Sequence, residues 1–389
     1  MINVEKALSI IDETVEKISK TEKIPASDIR GRILAEQIKA EADFPAYDNS
    51  AMDGYAFKKE NLDEGQREFE VDFEIRPEYE AGELSPGKCA YITTGSAVPN
   101  GADFVIPIEL IQKKDEHSIV VEEIPSKNPI RKQGEGYKKG DVLLDENKLL
   151  VPGDIGVLKS NGYNEVTVYI KTRIAIQVTG NELDEKRNTN GPVLKSWLQQ
   201  FPFVSVDSFP PLSDNKATMT GKFKELIQQY DIIVTTGGVS AGAYDFVVPA
   251  FETLGAEFKI RKVRQKPGKP FSFGKIGNTL IFALPGNPIS AFFCAVFYLE
   301  RMIKLRNHLS IYDQTAVLLN DYSAKENRDE FVPAQIQLQQ SERQVSTLAG
   351  VQSHLLHHLS SANCFVHFEA GRDYKKGNPV TVIPIEGAL

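Results

Sequence analysis

The sequence predicts a multidomain α/β protein. It combines a doubly wound, mostly parallel sheet domain with a mixed N-terminal domain containing a helix, a β-rich insertion domain and a small C-terminal β domain. A chain of 389 residues is too long to fold around one ordinary hydrophobic core, which indicates two to four domains. Between residues 171 and 308, near-continuous apolar strands alternate with helices, as in a parallel sheet covered on both faces. Elsewhere, short β-rich runs alternate with turns of Pro, Gly and Asn.

The N-terminal domain is predicted to be discontinuous, comprising residues 1–42 and 141–170. Apolar residues from Val4 to Ile18 recur at helical spacing, which predicts an amphipathic helix over residues 3–19 beginning near Asn3. Helix and strand signals resume in residues 141–169, which we expect to fold back beside that helix. Residues 43–140 are then an insertion, with strands in EFEVDFEI, CAYITTG, DFVIPIELI and HSIVVEEI.

The α/β domain is predicted over residues 171–308. Its strands are expected in TRIAIQVTG, DIIVTTGG, EFKIRKV and TLIFAL. Its helices are expected in VLKSWLQQF, KFKELIQQY and VVPAFETLG, and in a longer segment from Pro288 to about Leu305. Residues 309–389 form the terminal β domain, with strands in FVPAQIQL, QVSTLAG, ANCFVHFE and PVTVIPI.

Charge, hydropathy and cysteine usage exclude several classes of protein. A formal net charge of −8 argues against a nucleic-acid binder, although a few lysines can still form an anion pocket. The longest apolar stretch, Ile289 to Leu299, is too short to span a membrane. Three well-separated cysteines without a CxxC pair, and an N-terminus unlike a signal peptide, predict a cytoplasmic protein with reduced thiols.

Three strands of the α/β domain end in unusual turns. These turns contain Asn181-Glu182; Gly237, Gly238, Ser240 and Gly242; and Pro285-Gly286-Asn287-Pro288. Ligands of open parallel sheets collect at the carboxyl ends of strands, and glycines there allow backbone N–H groups to approach phosphate oxygens. The motifs match neither Walker A nor the dinucleotide GxGxxG pattern. A structural strand-to-helix turn explains any one of them, but three at one sheet edge favour a phosphate site.

Charged residues accompany these turns. Asp245 would repel a phosphate unless a cation lay between them, so Mg²⁺ is the expected ion, with Glu182 as a second acid. The alternatives are that Asp245 caps the following helix and that Glu182 is simply solvated. Lys266 and Lys269 lie in a Lys-Pro-Gly-Lys-Pro turn that would hold two cations rigidly, whereas ordinary surface lysines are solvated. His354, His357 and His358 lack usual zinc spacing and predict no metal site.

Five motifs, taken together, resemble the molybdopterin molybdenumtransferase (MoeA) family, which is similar to the C-terminal domain of gephyrin. They are DNSAMDGYA, ITTGSAVPNGAD, TTGGVSAGAYDF, KPGKPFSFGK and ALPGNPISA, and they occur in family order. The TTGG motif also resembles the related molybdopterin adenylyltransferases. Those proteins lack the N-terminal helix, the β-rich insertion and the terminal β domain, so the longer enzyme is favoured.

The resemblance implies a cytoplasmic homodimer that inserts molybdate into adenylylated molybdopterin. Mg²⁺-dependent cleavage of the pyrophosphate link would release AMP and molybdenum cofactor, and the α/β domain would be of the molybdopterin-binding type. The molybdopterin adenylyltransferase is a candidate partner; no nucleic acid or membrane is implied.

The resemblance also assigns roles to residues. Asp53 and Thr94 would enter the site from the partner chain, while Glu182, Asp214 and Asp245 would line the α/β pocket. The predicted metal ligands are Asp245 and Glu182. Anionic substrate groups would be contacted by Gly237, Gly238, Ser240, Gly242, Lys266, Lys269, Pro285, Asn287, Arg328 and Ser353.

Departures from the family pattern leave some details open. Asn181 stands where the family commonly has Asp, Gly136 replaces the second acid of a Gly-Glu-Asp run, and Gln352 precedes Ser353 in place of Gly. These changes bear on metal stoichiometry and molybdate contacts. A ligand-binding scaffold of the gephyrin type is an alternative function. Tungstate in place of molybdate is another, because the two oxyanions are nearly isosteric.

Overall fold

The computed structural model describes residues 1–77, 80–183, 187–239, 245–325, 327–339, 341–350 and 356–385. The chain divides into two compact units. One contains Met1–Glu36, Glu146–Pro152 and the chain from Glu165 onward, and the other contains Gln37–Asp145 and Gly153–Asn164. The predicted four-part division, with boundaries near residues 42, 140, 170 and 308, does not coincide with these two units, which divide the predicted N-terminal domain between them, and it stays a prediction.

A six-stranded sheet forms the centre of the first unit. In spatial order its strands are Val204–Leu212, Thr172–Thr179, Ile232–Thr236, Thr279–Leu284, Ser272–Ile276 and Glu257–Arg261. The first four are mutually parallel, and both pairings of Ser272–Ile276 are antiparallel. The predicted mostly parallel sheet is therefore confirmed.

Helices cover both faces of this sheet, as predicted. On the strand Thr172–Thr179, Ile174 and Ile176 face one apolar cluster while Ala175 faces the other. This alternation explains why the strand reads as continuously apolar. The helices are Asn190–Leu198, Lys216–Gln229, Val247–Thr253, and a continuous helical segment made of Pro288–Cys294, a π-helical turn Ala295–Leu299, and Glu300–Arg306.

The strand Val204–Leu212 was absent from the sequence prediction because Pro210 and Pro211 interrupt its β pattern. The strand lies at the edge of the sheet. Proline removes a ladder donor, and this loss is tolerated only at an edge or a bulge. The pairing with Thr172–Thr179 shifts register at this end of the strand, between Gln177 and Thr179.

The N-terminal helix spans Val4–Thr14, and the Asn3 side chain accepts a hydrogen bond from the Lys6 amide at 3.0 Å. The predicted start is confirmed, but the prediction that the helix continues to residue 19 is wrong. Val15 is extended, and the Ile18 amide donates to the Arg306 carbonyl, so Ile18 is buried without being helical. The strand Thr21–Pro25 follows and pairs with Glu165–Tyr169, so the end of the later segment returns to the N-terminal part of the chain.

A second six-stranded sheet closes the C-terminal part of the first unit. Its strands, in spatial order, are Gln265–Lys266, Asp329–Gln339, Glu342–Thr347, Gln314–Leu318, Pro379–Pro384 and Cys364–Phe368. The long strand Asp329–Gln339 also pairs with Cys364–Phe368, so the sheet closes on itself. Smaller elements here are the strand pair Tyr322–Ser323 with Asp373–Tyr374 and the helix His357–Ser361. The predicted terminal β structure is confirmed.

The second unit contains a β-rich sheet, as predicted for the insertion. Its strands, in spatial order, are Phe104–Pro107, Gly54–Phe57, Cys89–Ile92, Glu68–Ile75, Ser118–Val121 and Ile111–Lys113. Two further pairs join Asn49–Ser50 with Ile130–Arg131 and Ile38–Lys39 with Val142–Leu144. The helices here are Lys59–Asp63, most of Pro152–Ser160 and the 3₁₀ turn Ile108–Leu110, while a further 3₁₀ turn, Ala26–Asp28, belongs to the first unit. Among the described residues no helix is long and apolar enough to cross a membrane.

Candidate functional site

The carboxyl ends of three adjacent parallel strands open into a cleft of about 570 Å³. The strands are Thr172–Thr179, Ile232–Thr236 and Thr279–Leu284, whose turns were predicted to meet. We call this space the acid cleft because three carboxylates line it. Of the predicted residues, it brings together Glu182, Asp214, Asp245, Gly237, Gly238, Pro285 and Asn287. Ser240 and Gly242 lie outside the described residues.

Glycine is required where the turns of the acid cleft touch. Gly237 has φ +88°, and a Cβ there would lie 2.5 Å from the Thr179 carbonyl oxygen. Gly286 packs against it less tightly, since a Cβ there would make only an ordinary van der Waals contact, 3.5 Å from the Gly237 Cα. The Gly237 amide donates to the Leu284 carbonyl at 3.2 Å, whereas the Gly238 amide has no hydrogen-bond partner within the described ranges. Gly237 therefore provides close approach, and Gly238 provides the amide that a phosphate could reach.

Asp214 and Asn181 hold each other in place beside the cleft. The Asn181 amide donates to Asp214 Oδ2 at 3.2 Å, and the Asp214 amide donates to Asn181 Oδ1 at 2.8 Å. The family departure at position 181 thus has a structural role, since the asparagine joins the turns after two neighbouring strands. Glu182 follows directly, and its Oε1 would lie 2.7 Å from a Cβ on Gly180.

Asp245 is not the N-cap residue of the helix Val247–Thr253. That position is occupied by Phe246, whose own side chain makes no capping hydrogen bond. Asp245 instead lines the acid cleft together with Glu182 and Asp214. Its position is therefore compatible with ligand binding, although its role stays a prediction.

Sequence reasoning missed a group of polar residues on the wall of the acid cleft, namely Arg187, Asn188, Thr189 and Asn190. Asn190 Nδ2 donates to the Gly286 carbonyl at 2.8 Å and contacts Thr236 Oγ1 at 3.4 Å, so it joins the ends of two neighbouring strands of the cleft. The signal was present: Asn-Thr-Asn-Gly-Pro is another cluster of turn residues between a strand and a helix. It was not distinguished from an ordinary loop.

A second cleft, of about 650 Å³, adjoins the first because Pro270 lines both. We call it the cation cleft, since Lys266, Lys269 and Arg328 line it. The structure thus brings together three predicted anion contacts from distant parts of the sequence. Ser353, the fourth, lies outside the described residues.

The lysine turn of the cation cleft rests on a buried polar layer. Gln265 is fully buried, accepts a hydrogen bond from the Tyr298 hydroxyl, and places its Nε2 3.7 Å from Cys294 Sγ. Gly268 has φ +89°, and a Cβ there would lie 2.5 Å from Cys294 Sγ. The π-helical turn Ala295–Leu299 supplies Tyr298 to this layer. Gln265 and Gly268, the two residues held by this layer, lie next to Lys266 and Lys269 in the chain.

Glu330 is a buried carboxylate in the wall of the cation cleft, and sequence reasoning missed it. Its side chain is 4% exposed, and its Oε2 accepts a hydrogen bond from the Tyr322 hydroxyl at 2.5 Å. Lys266 lies directly opposite in the sheet register, with Nζ 3.8 Å from Glu330 Oε1. Burial, reinforced by Glu330, raises the pKa of Tyr322 well above its ordinary value, so the phenol remains a donor.

Asp53 and Thr94 form a defined pair in the second unit. The Thr94 amide and hydroxyl both donate to Asp53 Oδ1 at 2.7 Å. These two bonds, the amide first, hold the pKa of the Asp53 carboxyl below its usual value. Both residues are exposed. The structure therefore presents an ionised, oriented carboxylate, as its predicted role requires.

Within the described ranges, no three His, Cys, Asp or Glu side chains are grouped to hold a metal ion. The His357 and His358 rings contact each other in a tilted arrangement, with centroids 4.1 Å apart, while His354 lies outside those ranges. Cys89, Cys294 and Cys364 are free and buried, in agreement with the predicted reduced thiols.

Comparison with known sequences places this geometry in a family. Residues 2–162 match the MoeA N-terminal region (domain I and II), residues 175–304 a probable molybdopterin binding domain, and residues 315–385 the MoeA C-terminal region (domain IV). The molybdopterin molybdenumtransferase of Haemophilus influenzae is 30% identical over 410 aligned positions, which cover 100% of both chains. The chain belongs to the molybdopterin molybdenumtransferase family. It is accordingly an enzyme of molybdenum cofactor biosynthesis.

Further relatives agree with this placement. The molybdopterin molybdenumtransferase of Bacillus subtilis is 29% identical over 96% of this chain and 94% of its own length. The crystal structure of the molybdopterin biosynthesis MoeA protein from Pyrococcus horikoshii OT3 superposes with a TM-score of 0.82 at 25% identity, covering 98% of this chain and 99% of that one. The predicted multidomain MoeA-type fold is thereby confirmed.

Proposed function

We propose that this enzyme inserts molybdate into adenylylated molybdopterin, with Mg²⁺-dependent cleavage that releases AMP and molybdenum cofactor. The observation that carries the proposal is the pair of adjoining clefts, one lined by three carboxylates and glycine turns and the other by three cations. Family membership supports molybdopterin as the substrate class. The individual residue roles and the reaction steps are part of the proposal.

The charged and polar groups of the two clefts would offset the electrostatic repulsion between the two anionic substrates. Molybdate is a dianion, and the second substrate carries a diphosphate, so bringing them together is unfavourable unless the protein compensates their charge. In the cation cleft, Lys266, Lys269 and Arg328 would bind the oxyanion. In the acid cleft, the backbone around Gly238 would bind the diphosphate. Such preorganised donors also stabilise charge that develops during cleavage.

The carboxylates of the acid cleft fit Mg²⁺ that is bound jointly with substrate. Mg²⁺ commonly takes one or two protein carboxylates and completes its octahedral shell with phosphate oxygens and water. The described residues form no compact cluster of three ligands, which argues against an all-protein metal cage. Asp245 and Glu182 would hold the ion, while Asp214 is fixed by Asn181. When bound, the ion would polarise the phosphoryl oxygen at the cleaved bond.

We also propose a homodimer in which Asp53 and Thr94 of one chain complete the cleft of the other. Support comes from the pair itself, because Thr94 fixes one oxygen of Asp53 and keeps the carboxylate ionised. An ionised carboxylate that is exposed and oriented can position water or accept a proton. The cytoplasm and a molybdopterin adenylyltransferase partner belong to the same proposal.

The direct test follows AMP release by the purified protein supplied with adenylylated molybdopterin, Mg²⁺ and molybdate. Asp245→Asn should abolish AMP release while leaving the unfolding transition unchanged. Glu225→Gln, an exposed carboxylate on the helix Lys216–Gln229, is the matched control and should turn over normally. Normal turnover of the Asp245 variant would refute its metal role. Repeating the assay with tungstate measures which oxyanion is preferred.

A mixing experiment tests the shared site. Asp53→Asn and Lys269→Ala chains, each inactive alone, should regain partial activity when mixed, because one of the two sites in a mixed dimer then carries no substitution. A mixture no more active than its parents, despite proven subunit exchange, would show that each site uses a single chain.

A further inference from the structure

The two lysines of the cation cleft are held differently. Lys266 lies on the short strand Gln265–Lys266, directly opposite Glu330 in the sheet register, and its Nζ is 3.8 Å from Glu330 Oε1. Lys269 lies in the turn that follows, and its side chain makes no ion pair or hydrogen bond with any residue that the structure describes. One ammonium group of the cleft therefore has a carboxylate beside it, and the other does not.

Glu330 is buried and held in one orientation. Its side chain is 4% exposed, and the Tyr322 hydroxyl donates to its Oε2 at 2.5 Å. The Tyr322 ring in turn stacks on the fully buried Phe368, with ring centroids 3.9 Å apart. The strand, the aromatic stack and the hydrogen bond together fix Oε2, so the other carboxylate oxygen, Oε1, is fixed as well.

Glu330 Oε1 attracts the Lys266 ammonium without engaging its donors. This oxygen is buried and has no hydrogen-bond partner in the described part of the chain, which is an unfavourable state that a nearby cation relieves. At 3.8 Å the ammonium is beyond hydrogen-bond distance, so its three N–H donors stay available to a ligand. A lysine that is already restrained loses less side-chain entropy when it binds an anion.

We infer that Glu330 is a positioning residue, which holds the Lys266 ammonium in place for the oxyanion while Lys269 adjusts to the ligand. This inference rests on the proposed function, since it assumes that the cation cleft binds the oxyanion. Tyr322 acts one step further away. Its hydroxyl keeps the carboxylate from turning toward Lys266 and pairing with it fully, which would make the carboxylate compete with the ligand.

The test is a double-mutant cycle on molybdate affinity, measured by isothermal titration of the full-length protein with sodium molybdate. Tyr322→Phe keeps the Glu330 side chain but removes the hydrogen bond that restrains it. This change should weaken molybdate binding about three- to tenfold in the wild-type background. It should have no effect in a Lys266→Met background, and it should keep its full effect in a Lys269→Met background.

Tyr374→Phe is the matched control. Tyr374 lies opposite Tyr322 in the strand register, and its ring also packs on Phe368. Its hydroxyl accepts a hydrogen bond from the Glu369 amide at 3.0 Å, but Tyr374 does not line the cation cleft. Tyr374→Phe should therefore leave molybdate affinity unchanged, whatever its effect on the free energy of unfolding.

An equal loss of affinity in the Lys266→Met background would overturn the inference, because the carboxylate would then act without Lys266. Unchanged affinity in Tyr322→Phe, or an equal loss in Tyr374→Phe, would overturn it as well. In these cases the proposed oxyanion site still stands. Absence of molybdate binding to wild type would instead overturn that site, and the inference with it.

A second variant covers the case in which Tyr322→Phe does not fold. Glu330→Asp keeps a carboxylate but withdraws it from Lys266, because the side chain is one methylene shorter. It should weaken molybdate binding where Lys266 is present and leave it unchanged in the Lys266→Met background. Any other pattern would contradict the inference.

Discussion

The turn that carries Lys266 and Lys269 contains a glycine, Gly268, that a larger residue should replace only with a loss of stability. Gly268 has φ +89°, and a Cβ there would lie 2.5 Å from Cys294 Sγ and 2.8 Å from Gln265 Nε2. The left-handed backbone costs a non-glycine residue about 1–2 kcal/mol. Overpacking a buried layer adds about 1–3 kcal/mol. Gly268→Ala should therefore destabilise the protein by about 2–5 kcal/mol.

Gly255→Ala is the control that separates the cost of the left-handed backbone from the cost of overpacking the buried layer. Gly255 has φ +93°, but a Cβ added there would have nothing within 4 Å, so only the backbone cost applies at that position. Trp197 is the sole tryptophan and is buried in the same unit, so its fluorescence during urea unfolding reports on the core beside the turn. The Gly268 variant should lose about 1–3 kcal/mol more than the Gly255 variant. Equal losses, within about 0.5 kcal/mol, would refute the packing argument.

Three further predictions concern hydrogen bonding and burial. Thr94→Val removes one of the two hydrogen-bond donors to Asp53, so the pKa of that carboxyl should rise toward its ordinary value. Titration of the Asp53 side-chain carbon by NMR measures this pKa. An unchanged pKa would contradict the assigned hydrogen bonds. The wild-type pair therefore stabilises the fold above the unfolded-state pKa and loses this effect as pH falls through the lower folded-state value. Asn190→Ala removes the hydrogen bond to the Gly286 carbonyl, so it should lower the free energy of unfolding in urea by about 0.5–1.5 kcal/mol. It should also lower kcat/KM for AMP release by at least about tenfold. An unchanged kcat/KM would show that the turns keep their positions without the Asn190 side chain. Burial raises the pKa of the Cys89 and Cys364 thiols to about 12, so a thiol reagent at pH 8 should label them only after unfolding; rapid labelling of the native protein would show that they open locally.

Most of the α/β architecture could be predicted because strands buried on both faces have apolar residues at consecutive positions. TRIAIQVTG and TLIFAL are apolar at consecutive positions since both faces of the sheet are covered. The edge strand Val204–Leu212 left no such trace, because its two prolines resemble a loop. The end of the first helix at Thr14 was also hidden, since Ile18 keeps the helical spacing while packing from an extended segment.

Some residues of the candidate site could also be predicted from the sequence, and others could not. Motifs with special backbone needs, such as Gly237 and Gly268, were evident from sequence because few other residues fit those turns. Glu330 was not, because one acid in a β-strand gives no sign that it is buried opposite a lysine from another segment. Asn190 was missed for the related reason that its bonds connect turns distant in sequence. Long-range pairing of polar groups is the part that local patterns do not encode.

The central claim is that two adjoining clefts receive the two substrates, the diphosphate in one and the oxyanion in the other. A crystal structure of this protein soaked with Mg²⁺, adenylylated molybdopterin and tungstate, analysed by tungsten anomalous scattering, tests it most directly. We predict a tungsten peak in contact with Lys266, Lys269 and Arg328, and diphosphate density beside Gly238 and Asp245. Tungsten bound elsewhere, or a diphosphate remote from the glycine turns, would contradict it.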